Sequence, residues 1–205
     1  MEAASTARLS HGRELPGDKA PRIVEAMRTS VAARGIAGST FDHVAREAGV
    51  SRGLLHYYFG TKERLLIEVV RRESDLRIDR YQEAIAGADS PDAVLDALVR
   101  VFEDFLGEGP APAVMFYEMM TLSQRNDEIA AEMVELGRRT RTHLADALAA
   151  KSKAGALALR TDPDTVASFL FALADGITVR RLTEPHFDIG PVMAMATAAA
   201  RAVLG

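Results

Sequence analysis

Three features of the sequence predict an all-α fold of about nine helices. Alanine is abundant, long stretches contain neither Gly nor Pro, and alternating runs of β-branched residues are hard to find. Gly and Pro recur at intervals that suit helix ends rather than hairpins. The length of 205 residues suits one domain, or two small ones that share a core.

Local start and stop signals delimit the N-terminal helices. Apolar residues at helical spacing give the first helix one buried face, and Gly35 follows that helix at its C′ position. Thr40 and Ser51 offer hydroxyl N-caps, and Gly49 ends the short helix between them. The first four helices are therefore expected over residues 19–34, from Ser39-Thr40 to Gly49, from Arg52 to about Tyr58, and from Gly60-Thr61 to about Ile85.

The same signals mark five further helices. Ser90-Pro91 and Asp162-Pro163 each pair an N-cap with proline at the first helical position. Residues 110–112 are expected to form a turn, because they begin and end with proline. The expected helices run from Ser90-Pro91 to near Gly107, through Met115 and Met120 to Ser123, from Asp127 to Ala150, from Asp162-Pro163 to about Thr183, and from Pro191 to the C-terminus.

Residues 39–66 meet the packing requirements of a helix-turn-helix. Ala45 is small where two short helices must cross closely, and Gly49 occupies the turn, where a positive φ costs little. Leu55 is apolar where the second of these helices must pack into the core, and Val50 adds another anchor. The other interpretation is an ordinary αα corner, with Phe59 in the core under both interpretations.

The helix after Gly49 is expected to enter the major groove of DNA, with its first residues on base edges. Arg52 can bind guanine O6 and N7 in a bidentate pair, and Leu54 can contact a thymine methyl. Phosphate contacts are expected from neighbouring hydroxyl, imidazole, ammonium and backbone N–H groups. The complete set of candidate DNA-binding residues is Thr40, Ser51, Arg52, Gly53, Leu54, His56, Tyr57, Tyr58 and Lys62.

Residues 19–66 resemble the DNA-binding domain of the tetracycline-repressor (TetR) family. The residues that carry this resemblance are Thr40-Phe41, Val44-Ala45, Ala48-Gly49-Val50-Ser51, Gly53, Leu55, Tyr58-Phe59 and Thr61-Lys62-Glu63. His56 and Gly60 depart from the family pattern, although an imidazole can still donate to phosphate. The resemblance implies a DNA-binding domain over residues 19–66 and a ligand-binding and dimerisation domain over 67–205. Residues 1–18, which are rich in Ser, Gly, Pro and charged residues, are expected to form an arm before them.

The larger C-terminal part contains candidates for a ligand pocket. The segment around Met115–Met120 is rich in soft, adaptable side chains, which suit apolar ligands but suit an ordinary core almost as well. Asp175 interrupts an apolar run, where it is either a polar group of the pocket or a hydrogen-bonding group at a helix end or interface. The candidate ligand-binding residues are Phe102, Phe105, Met115, Phe116, Met119, Met120, Phe169 and Asp175.

The last two helices carry many small and apolar residues, which either close the core of the subunit or form a four-helix bundle with a second copy. With the family resemblance, this pattern predicts a homodimer that binds a double-stranded DNA operator. The expected function is transcriptional repression from a palindromic operator, relieved by a small, largely apolar effector. The long fourth helix is the candidate lever between effector and DNA.

Two other function classes remain open: a helical ligand-binding protein or enzyme that keeps the scaffold without binding an operator, and an adaptor that binds protein. No enzyme activity, metal or cofactor is expected, because the five His form no H-E-x-x-H or E-x-x-H pattern, Cys is absent, and no G-x-S-x-G motif occurs. No apolar stretch reaches the ~18 residues of a membrane span. Because the sequence contains no Cys, a reducing cytoplasm is the expected location.

The net charge of −4 hides an uneven distribution. Residues 1–66 contain 10 Lys and Arg against 7 Asp and Glu, whereas residues 67–205 contain 15 against 22. The segment with the helix-turn-helix therefore carries +3 and the remainder −7, as a DNA-binding domain joined to an acidic one would. Residues 1–18 are expected to be disordered, or to follow DNA through Arg8, Arg13 and the adjoining Lys19.

Overall fold

A computed structural model describes residues 19–184 and 186–205 of the protein. Within these residues the chain forms nine helices and no strand, which confirms the predicted fold class. The arm expected over residues 1–18 lies outside the described residues. The helices are α1 (Lys19–Gly38), α2 (Phe41–Ala48), α3 (Arg52–Phe59), α4 (Lys62–Ala86), α5 (Pro91–Gly107), α6 (Ala111–Ser123), α7 (Asp127–Lys153), α8 (Pro163–Thr183) and α9 (Gly190–Leu204).

The observed helix boundaries follow local chemistry. Gly35 adopts φ 67° and ψ 172°, so regular α1 is interrupted there, as predicted, but a further helical turn continues to Gly38. Ser90 and Asp162 cap α5 and α8 by accepting hydrogen bonds from backbone N–H groups three residues later. The prediction of a turn at residues 110–112 was wrong for Ala111 and Pro112, which begin α6. The missing N–H of Pro112 is tolerated in the first turn of a helix.

The chain divides into two compact units. Among the described residues, the first comprises residues 19–73 together with Met115–Glu132, and the second comprises Ser74–Val114 together with the described part of Met133–Gly205. The helix-turn-helix therefore forms one unit with most of α6 and the start of α7.

The core of the first unit is assembled from its short helices. α1 packs on α2, and α2 packs on α3. Ile23, Met27, Val44 and Leu55 are fully buried, and Phe59 is nearly so, as expected for it. Burial of a side chain of this size contributes ~1.5–3 kcal/mol relative to its exposure, so these contacts hold the short α2 and α3 in place.

The second unit has its own apolar core. α9 packs against both α5 and α8. Ile85, Leu95, Leu148, Val166 and Leu204 are buried in one cluster that joins α4, α5, α7, α8 and α9. No helix in the described ranges is long and apolar enough to cross a lipid bilayer.

Candidate nucleic-acid interface and ligand cavity

Gly49 forms the turn between α2 and α3. Its φ of 66° lies in the left-handed region, and its N–H donates to Arg46 O while the N–H of Val50 donates to Ala45 O at 2.9 Å. Arg22 of α1 adds a charged cap, because its guanidinium donates to Ala48 O at 2.6 Å. The turn therefore satisfies the last carbonyls of α2 and sets the direction in which α3 leaves.

The α3 helix separates a buried face from an exposed one. Ser51 caps it by accepting from the N–H of Leu54, and Leu55 and Phe59 anchor it in the core. Candidate DNA-binding side chains occupy the other face, where Tyr57 is 56% exposed. The exposed or half-exposed candidates on and before this helix are Ser51, Arg52, Gly53, Leu54, His56, Tyr57 and Tyr58.

Arg52 is held in place by neighbours on the exposed surface. Its guanidinium donates to both carboxylate oxygens of Asp42 at 3.3 Å, and its Nε donates to His56 Nε2 at 3.3 Å. The His56 ring in turn packs edge-on against Phe41, with centroids 4.8 Å apart. Arg52 is thus oriented at the start of α3, and a base contact would replace its pair with Asp42.

Thr40 and Lys62 lie at the N-termini of α2 and α4. Thr40 is exposed, and its Oγ1 accepts from the N–H of His43 at 3.3 Å, as an N-cap does. Lys62 Nζ donates to Ile36 O at 3.0 Å. An ammonium has three N–H donors, so this bond leaves Lys62 able to donate to a phosphate as well.

Sequence reasoning missed the contact between α6 and the interrupted end of α1. Glu118 Oε2 accepts from the backbone N–H of Ile36 at 3.1 Å, directly after the break at Gly35. The carbonyl of Ile36 is the group that Lys62 binds. Ile36 of α1 is therefore held by a carboxylate of α6 and by an ammonium of α4. These residues are far apart in sequence, so no local motif indicates the contact.

An apolar cavity lies within the second unit. It measures about 590 Å³ with part of that space open to solvent, and side chains of α4, α5, α7, α8 and α9 line it. Among the described residues that line it none is charged, and Tyr81 and Thr197 are the two that carry a hydroxyl. Its largely apolar wall, with few polar groups, is typical of a site for a small organic molecule.

The structure distributes the candidate ligand-binding residues between the two units. Phe102 lines the cavity, whereas Phe105, Phe169 and Asp175 belong to the same unit but lie outside the cavity wall. The remaining candidates belong to the first unit: Met115, Phe116, Met119 and Met120. Met119 is fully buried in that unit. Its burial agrees with the other interpretation of the methionine-rich segment, that of an ordinary apolar core.

Polar groups next to the cavity interact electrostatically. Burial raises the pKa of Tyr81 above its ordinary value, an effect that Arg77 opposes and Asp175 reinforces. Burial also raises the pKa of Asp175, again opposed by Arg77, although part of the Asp175 side chain is exposed. Arg77 itself lies over the ring of Phe105, 4.8 Å from its centroid.

Comparison with protein families matches both parts of the chain. The family of bacterial regulatory proteins of the tetR type matches residues 23–69, and the C-terminal domain of BetI-type transcriptional repressors matches residues 91–205. The chain belongs to the TetR family of transcriptional regulators. Regulators of this family bind DNA operators and small-molecule effectors, and they are dimeric.

Individual relatives agree with this assignment. The regulator is 32% identical to the transcriptional regulator BetI of Rhizobium meliloti (strain 1021) over 162 residues, which cover 78% of this chain and 75% of the relative. It is 33% identical to BetI of Agrobacterium fabrum over 162 residues, 77% of this chain and 74% of the relative.

Solved structures share the fold of the regulator. A TetR-family regulator from Rhodococcus sp. superposes with a TM-score of 0.75 at 24% identity, covering 92% of this chain and 99% of that one. A transcriptional regulator from Streptomyces coelicolor A3(2) superposes with a TM-score of 0.69 at 26% identity over the same shares. The family predicted from residues 19–66 is therefore confirmed, and the shared fold extends over 92% of the chain.

Proposed function

We propose that the regulator is a homodimeric repressor that binds a palindromic operator and leaves it when a small, largely apolar ligand enters the cavity of the second unit. The observation that carries this proposal is the combination in one chain of an exposed, donor-rich α3 and a cavity whose described lining residues are uncharged and mostly apolar. Each α3 helix binds one half-site, and the half-sites lie ~34–36 Å apart along the duplex.

Within each half-site, Arg52 binds a guanine and so contributes sequence readout. Leu54 adds an apolar contact, and Gly53 lets the backbone approach the base edges. The phosphate contacts fix the register of α3 without reading sequence. They come from Thr40, Ser51, His56, Tyr57, Tyr58 and Lys62.

The dimer forms through α8 and α9. The residues that support this proposal are apolar or small side chains left exposed on these helices, among them Val179, Val192 and Met195, the last of which is 76% exposed. Ala172 and Gly176 continue the exposed stripe of α8 with small residues that permit close helix approach. Ile177 and Met193, by contrast, line the cavity of their own subunit.

The α4 helix is proposed to link ligand and DNA. It carries Lys62 at its start and Tyr81, which lines the cavity, 19 residues later. If the ligand favours a dimer whose α3 helices are wrongly spaced, it weakens operator binding, and the operator weakens ligand binding by the same factor.

A gel shift on the DNA upstream of the regulator's own gene tests operator binding. We expect a discrete complex whose affinity falls steeply with salt, because Lys and Arg contacts to phosphate release counterions. A ligand carrier, an enzyme on this scaffold or a protein-binding adaptor would give no specific shift over competitor DNA. Absence of a shift on this fragment and in a selection from random duplexes would reject the proposal.

A further inference from the structure

Tyr81 is a polar residue in an otherwise hydrocarbon wall. Its ring packs edge-on against Phe171, with centroids 6.4 Å apart, and both residues line the apolar cavity. Tyr81 also borders a second, smaller space, whose other lining residues include Gln82, Thr140 and His143. The phenol of Tyr81 thus stands where the apolar cavity meets more polar surroundings.

Among the described residues no hydrogen-bond partner is found for the hydroxyl of Tyr81, and this oxygen is not one of the buried side-chain atoms that lack a partner, so it is accessible to water. A partly buried tyrosine hydroxyl usually finds a partner, because leaving it unsatisfied forfeits the hydrogen bonds it made with water. A ligand that fills the cavity would displace water from this hydroxyl. Such a ligand therefore binds best if it supplies a hydrogen-bonding atom of its own at that point.

The charges around the cavity favour a ligand without net charge. Among described residues, none of the lining side chains is charged. Arg77, the cation close enough to affect Tyr81, acts on Asp175 as well, so its charge is already opposed. A carboxylate or a primary ammonium on the ligand would be desolvated in the cavity with no charged lining residue to pair with, and this costs more than one hydrogen bond returns.

We infer that the effector is an uncharged, mainly hydrocarbon molecule with one oxygen-containing group, a ketone, ester or alcohol, that hydrogen-bonds to the hydroxyl of Tyr81 while its apolar part fills the cavity beside Phe102. This inference rests on the proposed function, because it takes this cavity to be the effector site. It narrows the effector class from apolar molecules in general to neutral molecules with a single polar head.

Four probes on one phenylalkyl skeleton test the inference: butylbenzene, 4-phenylbutan-2-one, 3-phenylpropanoate and 3-phenylpropylammonium. Their affinities are measured by displacement of the neutral fluorophore N-phenyl-1-naphthylamine from the full-length wild type and from the Tyr81→Phe variant. The variant should bind the ketone about three- to tenfold more weakly, the loss of one hydrogen bond, and should bind butylbenzene within twofold of wild type. In wild type the two charged probes should bind at least tenfold more weakly than the ketone.

Tyr117→Phe, which removes a hydroxyl outside the cavity wall, is the matched control and should leave both affinities unchanged. A melting temperature for each variant verifies that it is folded. Equal effects of Tyr81→Phe on the ketone and the hydrocarbon, or tighter binding of a charged probe, would overturn the inference while leaving the cavity as a ligand site. Failure of the fluorophore to bind wild type, together with no rise in the melting temperature of wild type on addition of butylbenzene or the ketone, would instead reject the cavity itself, and with it the proposed function.

Discussion

At the residue scale, sequence readout by the regulator is expected to depend most on Arg52. Its side chain is oriented by Asp42 and His56 at the start of α3, so little rotamer freedom is lost when it binds a base. When Arg52 leaves Asp42 and binds guanine, one set of charge-assisted hydrogen bonds replaces another. The contact of Arg52 with guanine is therefore expected to contribute mainly to discrimination between bases, and less to the overall affinity for DNA.

Arg52→Ala should reduce discrimination at one base pair of each half-site by ~1–3 kcal/mol. The measurement is fluorescence anisotropy with a panel of single-substitution operators. Arg138→Ala, which removes an exposed arginine paired with Glu135 on α7, is the control and should preserve the pattern. Identical preferences in the Arg52→Ala variant and the wild type would show that Arg52 does not read sequence.

Gly49 tests the turn of the helix-turn-helix. Its φ is 66°, and a Cβ there would lie 3.0 Å from a guanidinium nitrogen of Arg22. Gly49→Ala should therefore destabilise the fold by ~1–2 kcal/mol, measured by denaturant unfolding at fixed protein concentration. Gly137→Ala is the control, since a Cβ there meets open space and helix propensity should add ~0.5–1 kcal/mol. An unchanged midpoint for Gly49→Ala would contradict the strained-turn account.

At the element scale, helix starts were predictable because they depend on neighbours in sequence. Ser51, Ser90-Pro91 and Asp162-Pro163 all cap helices where expected. The unit into which an apolar helix packs depends on tertiary structure, and the spacing of apolar residues along the helix does not report it. The methionines of α6 were therefore predicted for the ligand site, while the structure places Met115–Glu132 with the helix-turn-helix.

The contact of Glu118 with the end of α1 is a second tertiary feature that the spacing of apolar residues in the sequence does not report. Glu118→Ala removes the acceptor of the Ile36 N–H and should speed hydrogen exchange at that amide, by an amount equivalent to ~1–3 kcal/mol of local stability. Glu118→Gln keeps an acceptor oxygen and should restore most of the protection. Exchange measured by NMR that is equally slow in wild type and both variants would show that the bond contributes nothing.

The exposed faces of α8 and α9 predict how the subunits associate. Met195→Glu places a charge in the proposed interface, so its particle mass should fall from twice 22.2 kDa towards 22.2 kDa in sedimentation equilibrium. Val134→Glu is the matched control, because Val134 is 73% exposed on α7 and lies outside the proposed interface. A Met195→Glu variant that remains fully dimeric would place the interface elsewhere.

At the scale of the whole molecule, the uneven charge is consistent with DNA binding by the N-terminal part and ligand binding by the remainder. The +3 carried by residues 1–66 accompanies the helix-turn-helix, and the −7 of residues 67–205 accompanies the part that holds the apolar cavity. The total of −4 would by itself have argued against a nucleic-acid partner. The family and its DNA-binding helices were predictable from one short segment. The cavity was not, because five helices from distant parts of the chain contribute to it.

The central claim is that one dimer couples operator and cavity. Its most direct test is an anisotropy titration of labelled operator with the regulator, with and without 4-phenylbutan-2-one at saturation of the cavity. We predict that the ligand raises the Kd for operator about fivefold or more, within the range typical of allosteric coupling, and that it leaves binding to non-specific DNA unchanged. An operator Kd that stays the same while fluorophore displacement shows the cavity to be occupied would contradict the account.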